Sequence, residues 1–302
     1  MPCTMANGLQ GLRPLVLGLH PLVLSLLLCV LGPSGSQGGK LLVVPMDGSH
    51  WLSMVAVIQQ LHQSGHEIVV VAPASSVNIK EGAFYTLKMF PVPFQKEDLE
   101  AIFVSLGHDV FENEPFLQRV IKMYKGVKRT SAMLLSTCSH LLHNEDLMAS
   151  LAARGFEAVL TDPFLPCGSI VAQYLSLPAV YFLNGLPCGL DVDGTQCPSP
   201  PSYVPRSLSV NPDHMTFLQR VKNMLITFIQ PFLCSAVYSP FASLASKVLR
   251  RDVTVQDLMS FGSVWLLRND FVVNYPRPTM PNIVFIGGIN CVTQKPLSQV
   301  CI

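Results

Sequence analysis

Charge is scarce in this chain. Only 13% of its 302 residues are Asp, Glu, Lys or Arg, about half the usual quarter of a soluble protein. The basic residues are scattered and the formal net charge is +1. Nucleic-acid binding needs a clustered basic footprint, so no nucleic-acid partner is expected. No CxxC pair and no Cys/His group at zinc spacing occurs, so no metal site is expected. A GxSxG elbow, a GxxxxGK[ST] loop and a GxGxxG after a strand are all missing. Their absence removes the sequence signatures of α/β-hydrolases, P-loop enzymes and dinucleotide binders. No N-x-S/T sequon is present, so glycosylation gives no clue to compartment.

Apolar residues, by contrast, make up 49% of the chain, ample for one large domain or two small ones. At the start, Arg13 precedes LVLGLHPLVLSLLLCVL and then GPSGSQGG. A basic start, an apolar stretch and a small-residue exit are the layout of a secretory signal, with cleavage expected near Gly38. A retained anchor is the alternative, but Gly18, His20 and Pro21 interrupt the stretch. About 11 unbroken apolar residues fall short of the ~20 that a spanning helix needs. Beyond the signal lie Cys138, Cys167, Cys188, Cys197, Cys234, Cys291 and Cys301, an odd set. Cys188 and Cys197 flank a loop and are the best disulfide candidates in an oxidising lumen. Buried free thiols are the other reading.

KLLVVPM (40–46) is a continuous aliphatic run, which suits a strand covered on both faces. The next stretch places Trp51, Leu52, Val55, Ile58 and Leu61 at helical spacing, with Gly65 as a stop. HEIVVVAP (66–73) is a second buried strand, which completes a βαβ unit. FEAVLTDPF (156–164), PAVYFLN (178–184), SVWLLRNDF (263–271) and NIVFIGG (282–288) repeat the strand pattern. Helical blocks run from Phe116 to about Leu142, from Cys167 to Leu175, and from His214 to about Ile229. Alternation of this kind predicts an α/β fold with a mostly parallel, doubly wound sheet.

In open parallel sheets, ligands sit beyond the carboxyl ends of the strands. Two polar residues fall there. His50 follows the first strand and opens the first helix, while Asp162 ends the VLTD strand. If the two strands are neighbours, an imidazole base and a carboxylate that orients it meet over one crevice. The plainer reading makes His50 a turn or cap residue and Asp162 a turn starter before proline. His62, His66, His140, His143 and His214 sit at helix ends, where spacing gives them no ligand role. In the block HMTFLQRVKNMLITFIQ, Phe217, Leu218, Val221, Met224, Leu225, Phe228 and Ile229 share one face, opposite Gln219, Arg220, Lys222 and Asn223. Such a helix packs its apolar face on the core, lies on a membrane, or lines a channel for greasy substrates.

VVPMDGSHWLSM, SGHEIVVVAP, VLTDPFLPC, GTQCPSPPSYVPR, DHMTFLQRVKNML and YPRPTMPNIVFIGGINC together resemble the N-terminal half of the family 1 A-type UDP-glucuronosyltransferases. FYTLKMFPVPFQKEDLE and SLGHDVFENEPFLQRVIK look most like its bilirubin-conjugating branch. The resemblance implies a GT-B glycosyltransferase whose N-terminal Rossmann-like domain holds a lipophilic acceptor. By the family's DGSHW and LTDP motifs, it implies that His50 is the general base and Asp162 its orienter. UDP-glucuronic acid is the family's co-substrate, held by a C-terminal donor domain. That domain is expected to be absent here, so this chain alone is expected to bind no cofactor. The implied organisation is a signal over 1–38, an acceptor domain over 39–290 and a divergent tail over 291–302. Segments around Phe84–Pro93, Phe103–Phe111 and Phe182–Leu190 are expected to shape the acceptor pocket. The implied partners are a small lipophilic acceptor, full-length family members and a membrane surface. The implied location is the lumen of the endoplasmic reticulum, or the exterior if the chain is secreted. A non-catalytic partner of full-length enzymes is the alternative role.

Overall fold

The computed structural model describes residues 38–111, 116–185, 189–206, 209–272 and 274–289. Residues 1–37 of the expected signal and the expected tail lie outside these residues, as do Cys188, Cys291 and Cys301. Among the described residues, seven strands form one sheet: β1 (Lys40–Val44), β2 (Glu67–Pro73), β3 (Thr86–Phe90), β4 (Ala158–Thr161), β5 (Ala179–Leu183), β6 (Gly262–Leu267) and β7 (Ile283–Phe285). Their order is β3-β2-β1-β4-β5-β6-β7, and every neighbouring pair is parallel. It is the doubly wound α/β sheet expected of a GT-B N-terminal half. The order of the chain reverses between β1 and β4, which opens a crevice there.

Both faces of the sheet are covered, which is why the strands read as aliphatic runs rather than alternating ones. On one face, Val43, Val70, Leu160 and Phe182 meet Trp51, Met54 and Ile58 of α1 (Ser49–Gln63). On the other, Leu42, Val44, Val71, Val159, Tyr181 and Trp265 pack against several helices. These are α3 (Phe116–Leu142), α4 (Glu145–Ala152), α5 (Cys167–Tyr174), α7 (Phe217–Leu249) and α8 (Val255–Ser260), whose buried side chains join the same cluster. Two further helices, α2 (Lys96–Phe111) and α6 (Leu190–Thr195), lie in the connections beyond β3 and β5.

Two expectations need correction. Cys197 is a buried free thiol, its Sγ donating to the Pro278 carbonyl at 3.0 Å. It therefore does not pair with Cys188. A disulfide among the described residues runs from Cys138 to Cys167, joining α3 to the first residue of α5. These two side chains meet because α3 and α5 stack on the same sheet face, a proximity that loop spacing does not reveal.

The second correction concerns α7. It extends twenty residues beyond the expected Ile229, through Pro231 and Pro240, to Leu249. Its first half is turned opposite to a core-packing amphipathic helix. Phe217, Leu218, Leu225, Phe228, Ile229 and Phe232 are each more than half exposed. Asn223 of the polar face is buried: its amide donates to the Pro201 and Val204 carbonyls and accepts from Arg206 N–H. Lys222 and Arg220 cap the carbonyls of Ser209 and Met215. Carbonyl groups of the Pro-rich loop have no strand partners, so the polar face of α7 satisfies them.

Candidate functional site

The turn after β1 and the loop after β4 face each other because the two strands are paired, Val44 opposite Thr161. Thr161 strengthens this register by donating its hydroxyl to the Val44 carbonyl at 2.6 Å. Just beyond, α5 approaches so closely that a Cβ on Gly168 would stand 1.9 Å from Thr161 Oγ1. The end of β4 is thus held from two sides.

There the structure brings together the two predicted residues. His50 Nδ1 lies 2.6 Å from Asp162 Oδ2. The Asp162 side chain is 2% exposed and that of His50 28%. The other carboxylate oxygen accepts from Phe164 N–H at 2.9 Å, and the Phe164 ring stands 5.3 Å from the imidazole. A buried carboxylate accepts, so Nδ1 must carry the proton it receives. The lone pair is then on Nε2, which has no partner among the described residues. The arrangement can take a proton from a group in the crevice and stabilise the resulting imidazolium.

His50 lines a cleft of about 520 Å³ with Met46, Asp47, Val77, Asn78, Glu100 and Val104, within the range of small-molecule sites. A small apolar cavity of about 40 Å³ adjoins it, sharing Met46 and Asp47 and reaching Phe90, Leu134 and Leu165. A third hollow of about 250 Å³ sits at the ends of β5–β7, bounded by Asn184, Asp191, Arg206, Gln230, Asn269 and Arg277. There Arg277 donates to Asp191 at 2.7 Å. Burial, with the Asp191 charge adding, pushes the Asp193 carboxyl up, and burial pushes the Arg206 guanidinium down. Burial also pushes the Tyr238 hydroxyl of α7 up, and the Asp162 charge adds to it.

Of the segments expected to shape an acceptor pocket, Val104 and Phe90 reach the cleft and its apolar annex. Asn184, Gly185 and Gly189 line the polar hollow instead. The side chains of Phe103 and Phe111 lie outside the described ones. Three other histidines have structural hydrogen bonds. His140 and His143 bond the carbonyls of Ser136 and Ser139, and His66 accepts from Gly39 N–H. Sequence reasoning passed over Asp47, whose carboxylate takes four hydrogen bonds; its only signal was an Asp-Gly pair at a strand end.

Residues 39–301 match the family model of UDP-glucoronosyl and UDP-glucosyl transferases. The chain belongs to that family. It is 68% identical to human UDP-glucuronosyltransferase 1A1 over 295 residues, 98% of this chain and 54% of the human protein. The rat protein of the same name is 67% identical over 91% of this chain and 51% of its own. The chain thus spans about half the length of the curated relatives it matches. Among solved structures, a UDP-glucosyltransferase from Polygonum tinctorium aligns at 13% identity and a TM-score of 0.45, covering 87% of this chain and 56% of that one. The calicheamicin glycosyltransferase CalG4 gives 13% and 0.44, over 83% and 51%.

Proposed function

We propose that this chain is the acceptor side of a UDP-glucuronosyltransferase, with His50 as general base and Asp162 as its orienter. The observation that carries the reading is the 2.6 Å pairing of the cleft-lining His50 with a buried carboxylate. A phenol, alcohol or carboxylic acid in the cleft gives its proton to Nε2 as its oxygen attacks the anomeric carbon of UDP-glucuronic acid. The new glycosidic bond forms as the bond to UDP breaks, with inversion, and UDP leaves with the electron pair. Asp162 holds the imidazole in the accepting tautomer throughout. Base catalysis of this kind contributes about 10²–10⁴-fold. UDP-glucuronic acid is the co-substrate this reading implies, and a full-length family member is included in the assay to supply a donor site.

A second reading, a non-catalytic partner that modulates full-length members, is favoured by the outward apolar face of α7. Contiguous apolar surface of this kind marks an interaction site. The same face suits the lumenal surface of the endoplasmic reticulum membrane. Glucuronidation by the purified chain, alone and with a full-length relative, separates the readings. Product formation that depends on this chain and is lost in His50→Ala supports the first. A dose-dependent change in the relative's rate that His50→Ala leaves intact supports the second. No effect in either arm contradicts both. Carbonate extraction of microsomes tests the membrane contact.

A further inference from the structure

The carboxylate of Asp47 is filled from four sides. Its Oδ1 accepts from Gly48 N–H at 2.6 Å and Asn78 N–H at 3.1 Å. Its Oδ2 accepts from the Ser76 hydroxyl and from Val77 N–H, each at 2.6 Å. An ionised carboxylate offers about four acceptor positions, and here each oxygen meets two donors. These donors belong to two different chain segments. Gly48 is the N-cap of α1, at φ +76° with no side-chain cap, and His50 is the second residue of that helix. Ser76, Val77 and Asn78 follow β2 and form the opposite wall, Val77 and Asn78 lining the cleft with His50. The wall is fixed further inward as well: the Ser76 hydroxyl accepts from Ile79 N–H at 3.3 Å, and Ile79 is buried among the α1-side core.

We propose that Asp47 is a positioning residue: by tying the turn that carries His50 to the Ser76–Asn78 wall, its carboxylate sets the width of the acceptor cleft. The inference rests on the acceptor reading above and extends it to a residue outside the His50–Asp162 pair. Asp47 itself lines the cleft, so a change in its bonding is felt where the acceptor lies. Asp47→Asn keeps the shape but turns one oxygen into an amide NH2. That NH2 faces two donors and can accept from neither, so one side of the tie is lost. Ser76→Ala removes a single donor and leaves the carboxylate charge in place.

The test uses the full chain and 1-naphthol, a simple apolar phenol. Kd is measured by calorimetry, the His50 ring tautomer by ¹⁵N NMR, and folding by thermal melting. For Asp47→Asn, Kd is expected to rise about tenfold or more, as when charge-assisted hydrogen bonds are lost. The His50 tautomer stays as in the parent chain, because Asp162 is untouched. Ser76→Ala gives a smaller rise with little change in melting temperature. A purely structural role would lower the melting temperature of Asp47→Asn and leave Kd alone. Should Asp47→Asn not fold, Ser76→Ala decides: weaker binding supports the proposal and parental binding overturns it. If the parent chain binds 1-naphthol and His50 responds, yet both variants bind as the parent does, only the role of Asp47 falls. If the parent chain does not bind 1-naphthol at all, the acceptor reading falls with it.

Discussion

Replacing Asp162 by asparagine changes few atoms, and the structure dictates which way the new amide must lie. Phe164 N–H needs an acceptor at the Oδ1 position, so the amide oxygen goes there. The NH2 then occupies the Oδ2 position, 2.6 Å from His50 Nδ1. A donor facing Nδ1 obliges that nitrogen to accept, and the ring proton moves to Nε2. The nitrogen that should take the acceptor's proton then carries one of its own. Transfer is expected to fall by about 10²–10⁴-fold, the full contribution of base catalysis. Stability should change little by comparison, since one charged hydrogen bond is exchanged for a neutral one, about 1–2 kcal/mol. Two assays check this: the ¹⁵N pattern of the His50 ring in the isolated chain, and the rate of 1-naphthol glucuronidation with a full-length relative present. A parental tautomer in Asp162→Asn, or a parental rate with the tautomer reversed, would rule out His50 as a base oriented by Asp162.

Other outcomes follow from the same contacts. Non-reducing peptide mapping should recover Cys138 linked to Cys167. Iodoacetamide should label Cys197 slowly in the folded chain, because burial pushes its thiol up and keeps the thiolate scarce; rapid native labelling would contradict its placement. Arg277→Leu leaves the Asp191 carboxylate, 6% exposed, without its ion-pair partner. It should cost about 3 kcal/mol, read from chemical denaturation. The Asp257 carboxyl is held below its ordinary range by the Thr254 hydroxyl and backbone N–H of the α8 capping box. A depressed folded pKa stabilises above the ordinary carboxylate range and is lost as pH falls through it. The acid limb of the stability–pH curve should therefore be less steep in Asp257→Asn.

Periodicity and strand punctuation carried most of the fold. Aliphatic runs at 40–46, 66–73 and 156–161 mark β1, β2 and β4 because strands covered on both faces need apolar residues throughout. Edge strand β3 escaped notice because TLKMF mixes exposed and buried positions. The short α6 and α8 escaped because six residues are too few for a helical period. His50 and Asp162 were legible as residues at strand ends, but not as a pair: only the register of β1 on β4 sets their side chains 2.6 Å apart. The orientation of α7 ran against its sequence pattern, since unpaired loop carbonyls drew Asn223 of its polar face inward. Asp47 stayed hidden for a similar reason, as three of its four donors come from about thirty residues away.

The acceptor is expected to lie against His50. Chemical-shift mapping of the full chain titrated with 1-naphthol tests it directly. Perturbations are expected at Met46–His50, Val77, Asn78 and Val104, and they should be lost or much weakened in His50→Ala. Perturbations confined instead to Asn184, Gln230, Asn269 and Arg277 would place the acceptor in the polar hollow, away from His50.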